Sequence, residues 1–541
     1  MGPITLESEE YGIQYLTNSW CMKIIQVGGG TTGWLSALAI TKHLPNVDFT
    51  IIENGSPISV GESTFPTLNQ FHNFLDIDES KFIRSSDATF KCAVRFDDFN
   101  QIDTSYIHSF SYRIENPVVK HNIISELFLS ESPDYTNVLG RSKALDDWPW
   151  FLLENKLPGT MERGEVKSQH RLGSDNEKII TGLYAYHLNS ELYQNFLKEQ
   201  ITTNYTHIQD TVTELKINEN GIEYIKIENN PNPMYADLFI DCTGFSQVLI
   251  KELGVKWNSL SNFLPNNTAI VHRRKYDDPE KEMCPYTRAT GLKNGWMWTI
   301  PLYTQRSHGY VFSDSYTSIN DAEIEFRQTL KLKDSDNCDI IHFKSGYADK
   351  PWIKNCVAIG LSAGFLEPLE STGIALSERQ IVDIVTVLGK GFVKQLDRDW
   401  FNKMNKIDSL QIKYFLTNHF IHTLREDTEY WRDWKYNRTL TDAELIRYNL
   451  LKAERVHSDP DKDNNTMFFP EVTFEHIMRL HGATQSYSPI NLKYDLSQWA
   501  IDKFLPNIKK HIKTREQQVQ REVKTATNNY EFVQQLHKMG A

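Results

Sequence analysis

The chain has 541 residues and a formal net charge of −12, which argues against a general nucleic-acid binder with its basic footprint. Hydrophobic residues make up 40% and aromatic residues 12%, so the chain is globular and not disordered as a whole. At ~150 residues per domain the length sets a prior of about three to four domain equivalents.

Residues 1–21 are polar and acidic, with no basic region leading into an apolar core, so they read as an appendage and not as a secretory signal. Organised sequence begins at Met22. Residues 24–27 form a short β-like run, followed by Gly28-Gly29-Gly30-Thr31-Thr32-Gly33, the helix-periodic WLSALAITKHL, and a second strand-like run at 48–53. A β-α-β unit of this kind predicts a parallel sheet. Gly28 allows the tight turn, Gly30 lets the backbone approach a pyrophosphate, and Gly33 allows close helix–strand packing. The helix opening at Thr31 and Thr32 turns N–H groups toward the phosphates. Glu53 ends the second strand, where a carboxylate can accept from a ribose hydroxyl. Together these features predict dinucleotide binding; the fingerprint alone does not separate FAD from NAD.

In the next run, 90–96, alternation puts Phe90, Cys92, Val94 and Phe96 on one face of a strand and Lys91, Ala93 and Arg95 on the other. Taken alone, such a lysine is a solvated or edge residue. Further strand-like runs lie near 216–228, at 237–242 and at 357–360, separated by a loop at 229–234. Trp296 and Trp298 on one strand face are by default core aromatics. Glu370 precedes a helix starting near Thr372, where a carboxylate complements the helix dipole and a threonine caps it. From about 374 onward the pattern is helical, in ALSERQIVDIVTVL and SLQIKYFLTNHFIHTLRE. A loop is expected at 457–465, and the charged last ~40 residues read as a solvated helical face. A boundary is placed near 390.

The six cysteines, Cys21, Cys92, Cys242, Cys284, Cys338 and Cys356, are scattered and form no CxxC pair. No disulfide framework or zinc site follows, and the pattern suits a reducing, cytoplasmic compartment. No apolar run approaches the ~20 residues a membrane span needs.

Several motifs in order resemble one family. GGGTTGW with Trp34, Gly61-Glu62-Ser63-Thr64-Phe65-Pro66, Trp296-Met297-Trp298-Thr299-Ile300-Pro301 and Glu367-Pro368-Leu369-Glu370-Ser371-Thr372-Gly373-Ile374 are similar to the GGGTAGW, GEATxP, WxWxIP and [DE]PLESTGI motifs of flavin-dependent halogenases, in the tryptophan-halogenase branch. Residues 237–245, and 357–360 with Gly360, look like the later strands of FAD-dependent monooxygenase-type folds. The resemblance covers roughly residues 22–435. It implies an α/β, Rossmann-like FAD-binding fold of the monooxygenase type with a mainly helical C-terminal substrate cap. In these terms residues 22–390 form a discontinuous FAD-binding and halogenation core, and 391–541 a helical cap module.

The resemblance also implies a chemistry. FAD, delivered as FADH2 by a separate flavin reductase, would use oxygen and a halide (chloride, bromide or iodide) to make hypohalous acid. Gly28, Gly30, Thr31, Thr32, Gly33, Glu53, Gly61, Glu62 and Gly360 would hold the cofactor. Lys91, in an FKxAxxF pattern, would capture the hypohalous acid and present its halogen. Glu370 would take the ring proton or hold the lysine. Thr372 and Gly373 would hold halide through backbone N–H groups. Trp296, Trp298, Ile300 and Pro301 would wall the substrate from the flavin, and His108 and Phe110, in an H-x-F pattern, would sandwich an aromatic ring. Arg425-Glu426-Asp427-Thr428-Glu429-Tyr430-Trp431 resembles a late family helix and reads as structural. After residue 437 the chain departs from the free-tryptophan enzymes: Phe468-Phe469-Pro470 is the nearest run to their indole-binding segment. The implied substrate is therefore a small electron-rich aromatic, such as an indole, phenol or pyrrole derivative. No nucleic-acid or membrane partner is implied, and a homo-oligomer is compatible with the sequence. The alternatives are a flavin-dependent aromatic hydroxylase, against which the intact WxWxIP and Lys91 argue, and a non-catalytic flavin- or dinucleotide-binding scaffold or sensor, against which it counts that no catalytic position is visibly lost.

Overall fold

The computed structural model describes residues 21–55, 61–111, 138–172, 176–436, 477 and 498–539. Residues 1–20 of the appendage, the loop at 457–465 and Phe468-Phe469-Pro470 lie outside the described residues.

The architecture is α/β. Met22–Val27 runs into helix Thr31–His43 and returns as Val47–Glu53, pairing parallel with the first strand. Apolar residues fill this helix on nearly every side, from Trp34 to Ile40, because it is buried between the sheet and neighbouring helices. The six-stranded sheet has the order Thr206–Gln209, Val47–Glu53, Met22–Val27, Leu238–Asp241, Cys356–Ala358, Trp352–Ile353. All its pairings are parallel except the last. A parallel sheet must be covered on both faces, and two apolar cores do so. One contains Trp34, Leu38 and Ile381; the other contains Ile25, Phe239 and Leu249.

A seven-stranded, mostly antiparallel sheet carries the rest of the core. Its order is Asp339–His342, Thr268–Arg274, Arg306–Phe312, Gly295–Pro301, Thr287–Leu292, Ala93–Asp97, Ser105–Ser109. One face packs against helix Ile319–Leu330 through Ile270, Met297 and Tyr310. The opposite face carries Trp296, Trp298 and Ile300, and packs against Ile412, Phe415 and Phe420 of helix Gln395–Ile421. Helix Glu429–Tyr436 is pinned beside it: Arg425 donates to Asp427 at 2.8–2.9 Å and to the Asp98 carbonyl at 2.8 Å, and Trp431 Nε1 donates to the Leu292 carbonyl at 2.9 Å. The remaining described C-terminal elements are helices, Gln498–Thr525 and Asn529–Lys538, the latter sending Val533 into the first core.

Two expectations are corrected. Residues 230–234, expected in a loop, form a strand, Asn230–Met234, paired antiparallel with Gly221–Ile227. Residues 90–96 do not form a single strand. The chain changes sheets at Cys92, whose N–H donates to the Pro285 carbonyl at 2.8 Å while its carbonyl accepts from Phe110 N–H at 2.9 Å. Thr89–Lys91 therefore belongs to a small sheet with Ala185–Asn189 and Gly61–Ser63, and Ala93–Asp97 to the large one. Ala93 joins Phe90 and Cys92 in one core, and Val94 and Phe96 enter the other. Lys91 is fully buried at this junction, not solvated.

Candidate active site

The turn after the first strand has the shape a dinucleotide needs. Gly28 has φ +109°, and a Cβ there would lie 2.3 Å from the Cys242 carbonyl oxygen, so only glycine fits. Gly33 packs as closely, its would-be Cβ 2.3 Å from the Gly28 carbonyl oxygen. Gly30 is the N-cap of helix Thr31–His43, with no side chain capping the helix, so the first-turn N–H groups are left for an anion. Thr31 accepts from Gln194 at 3.3 Å, and Thr32 meets Ser377 at 3.0 Å. Gly360 N–H donates to Gln380 at 2.8 Å, bringing helix Thr372–Leu388 to the same end of the sheet. These features fit the pyrophosphate part of FAD. Glu53 is buried beside them, and its carboxylate accepts from Trp34 Nε1 at 3.3 Å, Lys198 at 3.3 Å and His207 at 2.8 Å. Gly61 N–H donates to Ser307 Oγ at 3.2 Å. Glu62 is partly buried, and burial pushes its carboxyl up to about 7.

The second half of the site is built at the break between the two sheets. Lys91 Nζ donates to the Thr64 carbonyl at 2.9 Å and to Ser371 Oγ at 3.0 Å, and stands 5.2 Å from the Phe110 ring centroid. Burial pushes its ammonium down to about 7, with Glu370 pulling the other way. Glu370 is fully buried too. Its Oε1 lies 3.0 Å from His108 Nδ1 and 3.0 Å from His419 Nε2, while Oε2 has no hydrogen-bond partner among the described residues. Burial alone would raise the Glu370 carboxyl, but the two imidazoles outweigh it and hold it well below the usual carboxylate range.

Ser371, not Thr372, is the N-cap of helix Thr372–Leu388. It has a left-handed backbone (φ +62°) and makes no capping bond, because its hydroxyl serves Lys91 instead. A Cβ at Gly373 would meet nothing within 4 Å. Among the described residues an uncapped helix start is thus left open next to a lysine, an arrangement suited to a small anion.

The aromatic residues divide. His108 and Phe110 sit at this site, edge to face with centroids 6.3 Å apart. Trp296 and Trp298 are side by side in the core between the seven-stranded sheet and helix Gln395–Ile421, 6.3 Å apart. Trp296 Nε1 donates to Glu367 at 2.7 Å, whereas Trp298 Nε1 has no acceptor among the described residues. Ile300 is buried on the same face, and the Pro301 carbonyl accepts from Thr89 at 2.6 Å.

Comparison with known proteins places the chain in one family. The sequence matches the tryptophan halogenase family model over residues 23–495. The chain belongs to the tryptophan halogenase family. It is 32% identical over 457 residues to a tryptophan 6-halogenase of Streptomyces toxytricini, covering 82% of this chain and 85% of that protein. The solved structure of that enzyme superposes with a TM-score of 0.79 at 27% identity, over 95% of this chain and 99% of the other. A flavin-dependent halogenase from Xanthomonas campestris superposes at 0.77 with 25% identity, over 95% and 98%. The chain is thus a flavin-dependent halogenase of Rossmann-like α/β fold.

Several residues of this halogenase's site escape sequence reasoning. His419 belongs to a segment read only as an amphipathic helix; it also meets Tyr106 OH at 3.1 Å and stacks on Phe96 at 4.6 Å. Ser371 sits inside a quoted motif, but nothing local marks it as the lysine's acceptor. Glu378, about two turns further along the same helix, accepts from Thr67 at 2.6 Å and leaves Oε1 unpartnered among the described residues; burial pushes it up to about 8. No group of His, Cys, Asp or Glu among the described residues could hold a metal, and no helix there is long and apolar enough to cross a membrane.

Proposed function

We propose that the enzyme halogenates a small electron-rich aromatic, such as an indole, phenol or pyrrole derivative, by electrophilic substitution at Lys91. The observation that carries this reading is the pairing of two fully buried, oppositely charged groups, Lys91 and Glu370, linked through Ser371 and faced by His108 and Phe110. Bound FADH2, supplied by a separate reductase, brings the chemistry that turns oxygen and halide into hypohalous acid. Gly28, Gly30, Thr31, Thr32, Gly33, Glu53, Gly61, Glu62 and Gly360 would hold it.

The chain's own residues do the rest. Backbone N–H groups of Thr372 and Gly373 hold the halide. Trp296, Trp298, Ile300 and Pro301 keep the aromatic substrate apart from the cofactor. Lys91 donates a hydrogen bond to the hypohalous acid and polarises its O–halogen bond toward loss of hydroxide. His108 and Phe110 place the ring. Glu370 stabilises the cationic ring intermediate. A carboxylate held so firmly ionised is a weak base, but proton loss from such a cation is steeply downhill and a weak base suffices. Residues 391–541 are read as the helical cap over this core.

The test supplies FAD, a reductase, NADH and each halide in turn with a panel of indoles and phenols, and reads products by mass spectrometry. Lys91→Ala abolishes halogenated product while flavin oxidation continues. Halogenation by Lys91→Ala at a normal rate overturns the mechanism, and hydroxylated product would favour an aromatic hydroxylase.

A further inference from the structure

A buried row of polar side chains runs beside Lys91 without entering the chemistry above. His187 lies on the middle strand of the small three-stranded sheet, directly across from Ser63 on one side and Thr89 on the other. Thr89 is two residues before Lys91 on the same strand, and so shares its face. Ser63 Oγ meets Thr287 Oγ1 at 2.7 Å, Thr287 Oγ1 meets His187 Nε2 at 2.9 Å, His187 Nδ1 meets Thr89 Oγ1 at 3.1 Å, and Thr89 donates to the Pro301 carbonyl at 2.6 Å. His187 is fully buried, with Thr89 at 1% and Thr287 at 4% exposure.

The proton count along this row fixes its direction. A carbonyl only accepts, so the single hydroxyl proton of Thr89 goes to Pro301. Thr89 Oγ1 must then accept, and the proton between it and His187 sits on Nδ1. Burial and the neighbouring Lys91 charge hold the imidazole neutral, well below its ordinary value. Nε2 is therefore bare and accepts from Thr287, which in turn accepts from Ser63. The row ties together three segments that the sequence keeps far apart: the Gly61–Ser63 strand, the strand that carries Lys91, and the end of the WxWxIP strand.

We propose that His187, as its neutral Nδ1–H tautomer, is a positioning residue that fixes the Lys91 strand against the Gly61–Ser63 strand and the end of the WxWxIP strand. Its contribution is to keep hypohalous acid on course to Lys91, so it rests on the reaction proposed above, while its tautomer does not. The first measurement is magic-angle-spinning NMR of the ¹⁵N-histidine-labelled full chain, with the His187 signal assigned by its loss in His187→Asn. The expected result is a protonated Nδ1 and a bare Nε2, unchanged from about pH 6 to about pH 8. An imidazolium, or the opposite tautomer, overturns the proposal whatever the enzyme makes.

The second measurement is halogenated product per FADH2 oxidised, together with hypohalous acid caught by an external trap. His187→Asn keeps an N–H toward Thr89 and retains most of the coupling. His187→Phe loses it about fivefold, equivalent to ~1 kcal/mol, and sends the missing oxidant to the trap, with substrate KM unchanged. If His187→Phe does not fold, Thr89→Val removes the acceptor of Nδ1–H with little change of shape and is expected to show the same leak. A folded His187→Phe or Thr89→Val that couples as the parent does would overturn the proposal.

Discussion

Replacing Lys91 by methionine should make the protein more stable while ending halogenation. The lysine is buried without exposure, and burial takes its ammonium from 10.5 to about 7. The folded state therefore binds fewer protons than the unfolded state between about pH 7 and 10.5, and stability rises with pH across that window. The cost of the buried charge is fully present below pH 7, on the order of 5 kcal/mol, and is lost by 10.5. Methionine fills the same volume without the charge. It also strands the Thr64 carbonyl and the Ser371 hydroxyl, which returns roughly 2–3 kcal/mol. The net gain at pH 7 is ~2 kcal/mol. For a chain of this length the unfolding entropy is ~1 kcal/mol per degree, so Tm should rise by about 2 °C. The gain should fade toward about pH 9, where the unfolded lysine has less proton excess and the stranded groups cancel it. The assay is calorimetry of both proteins across this pH range, with product formation measured in parallel. A fall in Tm at pH 7, or a difference that does not change with pH, would refute the reasoning.

Glu370→Gln should lower halogenation by at least about a hundredfold while flavin oxidation continues, because the positive charges of Lys91 and the ring intermediate lose their buried counter-charge; mass spectrometry and oxygen uptake together check this. Trp296→Phe should lower stability by ~1–3 kcal/mol, since it removes the 2.7 Å donor from buried Glu367, whereas Trp298→Phe should cost less because Trp298 Nε1 has no acceptor to strand; thermal unfolding of the two variants decides it. Glu378→Gln should stabilise the fold on the order of 3 kcal/mol at pH 7. The folded carboxyl stays protonated to about 8 while the unfolded one ionises near 4.5, so the parent loses stability as pH rises through that window and the advantage disappears near pH 5; Tm against pH checks the sign.

Local rules made the first unit legible. A strand, a glycine-rich turn, a helix and a second strand ending in Glu53 need only near neighbours to be read, and they fold as expected. Motif order brought Lys91, Glu370, His108 and Phe110 together before any coordinates did. Three things were not legible, for one physical cause: each depends on a partner distant in the chain. The 90–96 run alternates as one strand would, but Pro285 and Phe110 claim the backbone of Cys92 and split it between two sheets. Thr372 follows the usual rule for a cap, but Lys91 draws the Ser371 hydroxyl away and leaves the helix uncapped. His419 obeys helical periodicity perfectly well, and periodicity has no means of announcing that its ring meets Glu370.

The same partners bear on how a chain of net charge −12 would admit a halide. Charges beyond about 8 Å are largely screened at physiological salt, so the surplus of surface carboxylates has little say at a buried site. What an ion would meet at the proposed site is Lys91, the uncapped N–H groups at Thr372 and Gly373, and Glu370. That last charge would repel a halide, but His108 and His419 occupy one of its oxygens. The reaction proposed here makes two opposed demands: a positive field where the anion and the hypohalous acid sit, and a negative one where the ring becomes cationic. Placing Ser371 between Glu370 and Thr372, with its hydroxyl on Lys91, serves both within three consecutive residues. Breaking either side should therefore show differently: loss of the Glu370 charge should slow substitution and leave halide affinity equal or tighter, while loss of the Lys91 charge should weaken both.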